Sequence, residues 1–111
     1  METFGRAFYE DQINLLIRRQ TDDLVLTHYH PEAVLIGSDF VVRGHDDLKA
    51  HFRSYMDRLG ALEVQSTDRF TETDGELFFE ATVKTALGTF KVYDAMVFRD
   101  GRITHHFTGV K

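Results

Sequence analysis

The chain has no cysteine, no tryptophan and a single proline in 111 residues. Without cysteine it can form neither disulfides nor a thiol nucleophile, and thiolate metal sites are excluded. With one proline, no internal repeat and no low-complexity tract, no linker is expected, so residues 1–111 read as one domain. No apolar run approaches the length that crosses a bilayer, and the opening residues lack a charged-then-apolar leader pattern. The expected location is cytoplasmic. Positive charge is scarce as well: 13 Lys and Arg stand against 18 Asp and Glu, for a net charge of −5. No basic patch interleaves with aromatic residues, so nucleic acid is not an expected partner, nor is a membrane.

What the chain has in quantity is ring surface. Ten Phe and four Tyr exceed what so small a core requires, which points to an aromatic-lined pocket or an aromatic interface. Hydrophobic periodicity divides the chain into helices followed by strands. Thr3 can cap a helix running to about Arg19, with Phe4, Ala7, Phe8, Leu15 and Leu16 on one stripe and Tyr9, Ile13, Leu16 and Ile17 on the next. Thr21 or Asp22 caps a short helix to about His28, and Pro31 forces His30 into an extended conformation. Residues Ala33–Ile36 and Phe40–Val42 form a strand pair across Gly37-Ser38-Asp39. A third helix, about Asp46 to Leu59, places Leu48, Phe52, Tyr55, Met56 and Leu59 on one face, with Gly60 just past its end. His45 and His51 are expected on the surface of that helix. Beyond Gly60 four long strands follow. Leu62, Val64, Ser66, Asp68 and Phe70 alternate in the first, and Leu77, Phe79, Ala81 and Val83 in the second.

The last hairpin carries the chemistry. Its strands, Lys91–Phe98 and Ile103–Val110, flank Arg99-Asp100-Gly101-Arg102. Val92, Asp94, Met96 and Phe98 share one face and Tyr93, Ala95 and Val97 the other, because side chains alternate along a strand. Asp94 is thus a carboxylate in an apolar row, where it must be paired, hydrogen-bonded or neutralised. Two registers are open. A type I turn with Gly101 as a left-handed bulge sets Phe98 opposite Arg102 and Asp94 opposite His106. A tight two-residue turn sets Asp94 opposite Phe107 and points His106 away.

The run Phe98-Arg99-Asp100-Gly101-Arg102-Ile103-Thr104-His105-His106-Phe107 resembles the Asp-Gly-Lys/Arg-Ile…His-Trp ending of the polyketide-cyclase (SnoaL-like) branch of the nuclear-transport-factor-two-like superfamily. Asp94-Ala95-Met96-Val97-Phe98 is similar to the segment that bears a buried aspartic acid in ketosteroid isomerases, and Tyr29-His30-Pro31-Glu32-Ala33-Val34 to the superfamily's lead-in to its first strand. The resemblance implies an α+β fold, a cone-shaped, curved, mostly antiparallel sheet wrapped around three helices. It implies that Asp94 and His106 share the inner face, which favours the bulged register. By the same alignment the isomerase general-base aspartate falls at Gly37 and the isomerase tyrosine near Ile13, with Tyr9 one turn away, so steroid isomerisation is not expected. An epoxide-hydrolase site of the limonene type would need a carboxylate near Thr108.

Asp94 and His106 are therefore the candidate catalytic pair, Asp94 as acid or orienting partner and His106 as base. Tyr9, Phe52, Met56, Met96 and Thr108 are the candidate substrate-binding residues that would line the cone. His28, His30, His105 and His106 lack the spacing of a metal site, and neither metal nor cofactor is expected. The expected function is cofactor-independent acid–base chemistry of the isomerase, cyclase or dehydratase type on a hydrophobic oxygenated small molecule. The alternative is a non-catalytic ligand-binding or assembly module of the same fold. A homodimer is expected through the outer face of the sheet, carried by Tyr93, Ala95, Val97, Ile103, His105 and Phe107.

Overall fold

The structure, a computed structural model, describes residues 2–111. Three helices, α1 (Phe4–Ile17), α2 (Thr21–His28) and α3 (Gly44–Leu59), are combined with six strands. The strands are β1 (Tyr29–Ile36), β2 (Val41–Arg43), β3 (Leu62–Glu72), β4 (Glu76–Thr85), β5 (Gly88–Arg99) and β6 (Arg102–Val110). They form one unclosed sheet in the order β2-β1-β6-β5-β4-β3. All neighbours are antiparallel except β1 and β6, which run parallel, so the sheet is mixed.

The start of α1 follows its sequence signal, whereas α2 is preceded by Gln20 with no side-chain cap rather than capped by Thr21 or Asp22, and α3 starts at Gly44, ahead of the expected Asp46. The Thr3 side chain accepts from the Arg6 amide at the start of α1. Glu72, at the end of β3, accepts from the Gly5 amide at 2.8 Å and from the Thr3 hydroxyl at 2.6 Å, so the positive end of α1 is held by a carboxylate of the sheet. A side chain at position 5 would collide with that carboxylate. On α3 the apolar stripe is buried, with Leu48, Phe52 and Met56 all inside. Gly60 ends α3 at φ 72°, a conformation that suits glycine. On α1 the buried residues are Gly5, Phe8, Tyr9 and Gln12, whereas Phe4 and Ile17 are exposed. The buried stripe is therefore narrower than the periodicity suggested, and it includes an amide. The core joins Leu24, Val25, Tyr29, Leu35, Leu48, Leu77, Met96 and Ile103 between the helices and the inner face of the sheet.

The hairpin takes neither expected register. Asp100 and Gly101 both have positive φ, 54° and 80°, as a tight two-residue turn of type I′ requires, and Arg99 pairs with Arg102. One step later the ladder slips: Phe98 pairs with Ile103 but Val97 pairs with His105, leaving Thr104 as an extra residue in β6. Its hydroxyl donates to the Val97 carbonyl at 3.2 Å. The bulge lies beyond the turn rather than in it. Consequently Asp94 faces Thr108 and Met96 faces His106. His106 is Asp94's diagonal neighbour, not its direct partner, but both share the inner face. The tight turn sets Ile103, expected outside, opposite Phe98 on the inner face, where it is fully buried, and the bulge then returns His106 to that face. Two similar slips in β3, between Val64 and Ser66 and between Thr67 and Arg69, bring Thr67 inward. Ser66 and Asp68, expected to continue the inner row, are exposed and bond each other.

Candidate active site

The concave face of the sheet and α1 and α3 enclose a cavity of about 350 Å³, open at one end, in the size range of small-molecule sites. Much of its wall is apolar, from Leu16, Leu35, Phe52, Val83, Val92 and Met96. Exposed Ser38, Asp39, Arg58 and Val110 also line it, marking the side that meets solvent. Of the residues expected to line the cone, Tyr9, Phe52, Met96 and Thr108 do so. Met56 does not: it lies one turn from Phe52 on α3, is 2% exposed, and is core. Position 37 is closed to any side chain, because the Phe40 ring occupies the space where one would project.

Asp94 projects from the middle of β5 into this cavity. Its Oδ1 accepts from Nε2 of His106 at 2.6 Å. His106 is almost fully buried, and its Nδ1 is 2.8 Å from the hydroxyl of Tyr29. Both ring nitrogens are thus engaged. The Asp94 Oδ2, by contrast, has no hydrogen bond among the described residues, so the free lone pairs of the pair belong to the carboxylate. Burial pushes the Tyr29 phenol well above the usual tyrosine range, against the pull of its Gln12 bond, so it remains a neutral hydroxyl.

The bonding continues inward. Gln12 Nε2 donates to the Tyr29 hydroxyl at 3.1 Å, Gln12 Oε1 is 2.6 Å from His28 Nδ1, and His28 Nε2 is 2.7 Å from Asp11 Oδ2. Asp94, His106, Tyr29, Gln12, His28 and Asp11 form one continuous chain from the cavity to the surface. His28 is buried and stacks on Phe8 at 4.1 Å between ring centroids. The histidines considered for metal do not converge: His28 is inside this chain, while His105 is exposed and bonds Thr104.

A second imidazole reaches the cavity from α3. His51, expected on the helix surface, lines the cavity between Phe40 and Tyr55, with ring centroids 5.0 Å and 6.3 Å away. Desolvation lowers its pKa, and the nearby Arg58 and His106 lower it further. It has no hydrogen bond among the described residues. Beside it, burial pushes the Tyr55 hydroxyl up to about 12, with the Asp94 charge adding to the effect. His45, also expected on the surface, is partly buried and bonds the Tyr29 carbonyl at 2.8 Å. Tyr29, Gln12 and His51 had no functional reading from sequence. For Gln12 a signal existed: it is an amide on the stripe of Phe8, Tyr9 and Ile13.

Comparisons agree with this architecture. The chain is similar in fold to a proposed isomerase of the SnoaL-like family from Agrobacterium tumefaciens, with TM-score 0.81 and 9% identity over 99% of both chains. It is similar to a nuclear-transport-factor-two-like protein of unknown function from Burkholderia pseudomallei, with TM-score 0.80 and 15% identity, covering 99% of this chain and 92% of that one. An epoxide hydrolase of the limonene-epoxide-hydrolase-like type from M. tuberculosis matches at TM-score 0.75 and 20% identity, covering 97% and 83%. No curated protein matches in sequence. The family model for the SnoaL-like domain matches residues 6–106, nearly the whole of the fold just described, and the chain therefore belongs to the SnoaL-like family of the nuclear-transport-factor-two-like superfamily.

Proposed function

We propose that the protein is a cofactor-independent acid–base enzyme acting on a hydrophobic, oxygen-bearing small molecule, by isomerisation, cyclisation or dehydration. The observation that carries this is a carboxylate with one free oxygen, held by a buried histidine, in a largely apolar cavity of ligand size. Asp94 exchanges the proton with substrate through Oδ2. His106 orients Asp94 rather than acting as the base, because neither of its nitrogens is free. His51, held neutral by burial and by neighbouring positive groups, is a second proton acceptor on the opposite wall. Tyr9, Phe52, Met96 and Thr108 shape the apolar surround. Thr108 puts a hydroxyl where an epoxide hydrolase of the limonene type would need its acid, which favours isomerase or cyclase chemistry.

The test is a turnover screen with apolar ketones, enones and epoxides that fit the cavity. Asp94→Asn should lower any turnover found by at least about a hundredfold, the scale of a lost proton-transfer group. Its thermal midpoint should change little, since the amide oxygen still accepts from His106. Retained turnover with a large loss of stability would make the pair structural. Saturable binding without turnover would leave a ligand-binding module instead.

The protein is proposed to act as a homodimer, paired through the convex face of the sheet. Phe78, Ala95, Phe107 and Ile36 are successive cross-strand neighbours on β4, β5, β6 and β1, an apolar row on the side away from the cavity. Val97 and Phe107 there are 36% and 41% exposed. Relative to the sequence expectation, Ile103 leaves the patch, and Phe78 and Ile36 join it.

A further inference from the structure

The six-residue chain has a proton count that does not close. Five hydrogen bonds link Asp94, His106, Tyr29, Gln12, His28 and Asp11, and each needs one hydrogen. With both carboxylates ionised and both imidazoles neutral, His106, Tyr29, Gln12 and His28 supply one hydrogen each. One link then sets two lone pairs against each other. The chain is fully bonded only when it holds one additional proton.

The Gln12 amide decides where that proton sits. With its NH₂ toward Tyr29, the phenol must donate to His106, His106 donates to Asp94, and His28 must donate from both nitrogens. With the amide reversed, Tyr29 donates to Gln12, His106 must donate from both nitrogens, and His28 stays neutral while donating to Asp11. The two arrangements hold the same number of protons and differ only in which imidazole is charged.

We infer that the six residues share one additional proton that the Gln12 amide places on either His28 or His106 but not on both, so that uptake at one imidazole is matched by release at the other. The exchange balances: His28 loses its second proton to water beside Asp11, Gln12 reverses, the Tyr29 hydroxyl turns from His106 to the Gln12 carbonyl, and Nδ1 of His106 takes up one proton from solvent. No proton has to pass through the amide. Any use of this coupling in turnover rests on the function proposed for Asp94, but the coupling itself needs no substrate. Burial pushes His28 below the ordinary histidine value against the pull of Asp11, which eases that release. The groups facing His28 are Asp11 and Gln12 of α1. Those facing or close to His106 are Asp94 of β5, Tyr29 of β1 and His51 of α3.

The test is side-chain nitrogen NMR of the histidine-labelled protein across a pH series, which reads charge and tautomer at each imidazole. In the wild type, His28 and His106 should together take up one proton, and a second only at lower pH. Asp11→Asn, at an exposed position, supplies a side-chain N–H to His28 and closes the count without the additional proton. His106 should then remain neutral with its hydrogen on Nε2, and its titration should move down by about one pH unit, a tenfold loss of proton affinity. Gln12→Met should uncouple the two imidazoles. Independent titration of His28 and His106 in the wild type, or a His106 titration unchanged in Asp11→Asn, would overturn the inference. Coupling without any effect of Asp94→Asn on turnover would sink the proposed function and leave the coupled chain standing.

Discussion

Tyr29 illustrates how much of the interior rests on single polar atoms. Its hydroxyl bridges His106 and Gln12 in a fully buried position, so Tyr29→Phe removes one group and strands two. The expected cost is about 1–3 kcal/mol, read from urea unfolding. The substituted phenyl ring still fills the same space, so packing is not the cause. His51 gives a pH dependence whose sign follows from its lowered pKa. The unfolded chain binds the proton near the ordinary value of 6.5, and the folded chain binds it only at lower pH. Between those two values the unfolded state holds more protons, so folding is favoured as pH rises. The contribution of His51 is complete above about 6.5 and is lost as pH falls through the folded value. Unfolding midpoints compared at about pH 7.5 and pH 5.5 should show this loss, and His51→Gln should reduce it. At this scale the sequence was half legible. Asp94 stood out because an isolated carboxylate in an apolar row needs an explanation. Gln12 and Tyr29 did not, because an amide on a helix stripe and a tyrosine at a strand start have ordinary structural uses, and only the fold brings them together.

Among the elements, the helices were readable in place but not in their ends, since apolar spacing is a local property of the chain while α2 starts behind Gln20 without any side-chain cap and α3 starts ahead of Asp46. Strand faces were readable only up to the first irregularity. Period-two counting correctly placed Val92 through Phe98, then failed at Ile103, where the tight turn and the bulge beyond it replaced the expected bulged turn, and at Ser66 and Asp68, because an extra residue reverses the faces that follow it. Nothing in the side chains of Thr104 or Gln65 announces a bulge; the partner strand decides it. The turn, by contrast, was visible as Asp-Gly, and its conformation makes a definite demand. Gly101 sits at φ 80° with open space around the Cβ position, so a substitution there suffers from backbone conformation rather than collision. Gly101→Val should cost on the order of 1–2 kcal/mol by denaturant unfolding.

For the whole molecule, the expected assembly is a dimer at micromolar concentration, measured by light scattering at neutral pH. Val97→Arg places a charge in the centre of the convex patch and should yield a folded monomer with an unchanged circular dichroism spectrum. A monomeric wild type would refute the pairing. The convex patch and the cavity have one more thing in common, the residue count between Phe98 and His106. Because Thr104 is already an extra residue, deleting it alone would leave Val97 opposite His105 and Met96 opposite His106, with both faces of β6 intact. Inserting one further residue without a second bulge would exchange those faces, turning His106 to the convex side and Phe107 into the cavity. The proposed catalytic pair and the proposed pairing surface would be lost in a single event. Relatives are therefore expected to dispense with the residue at position 104 more readily than to gain a single residue in this interval, so a survey of relatives could expose the constraint without any measurement on the protein itself.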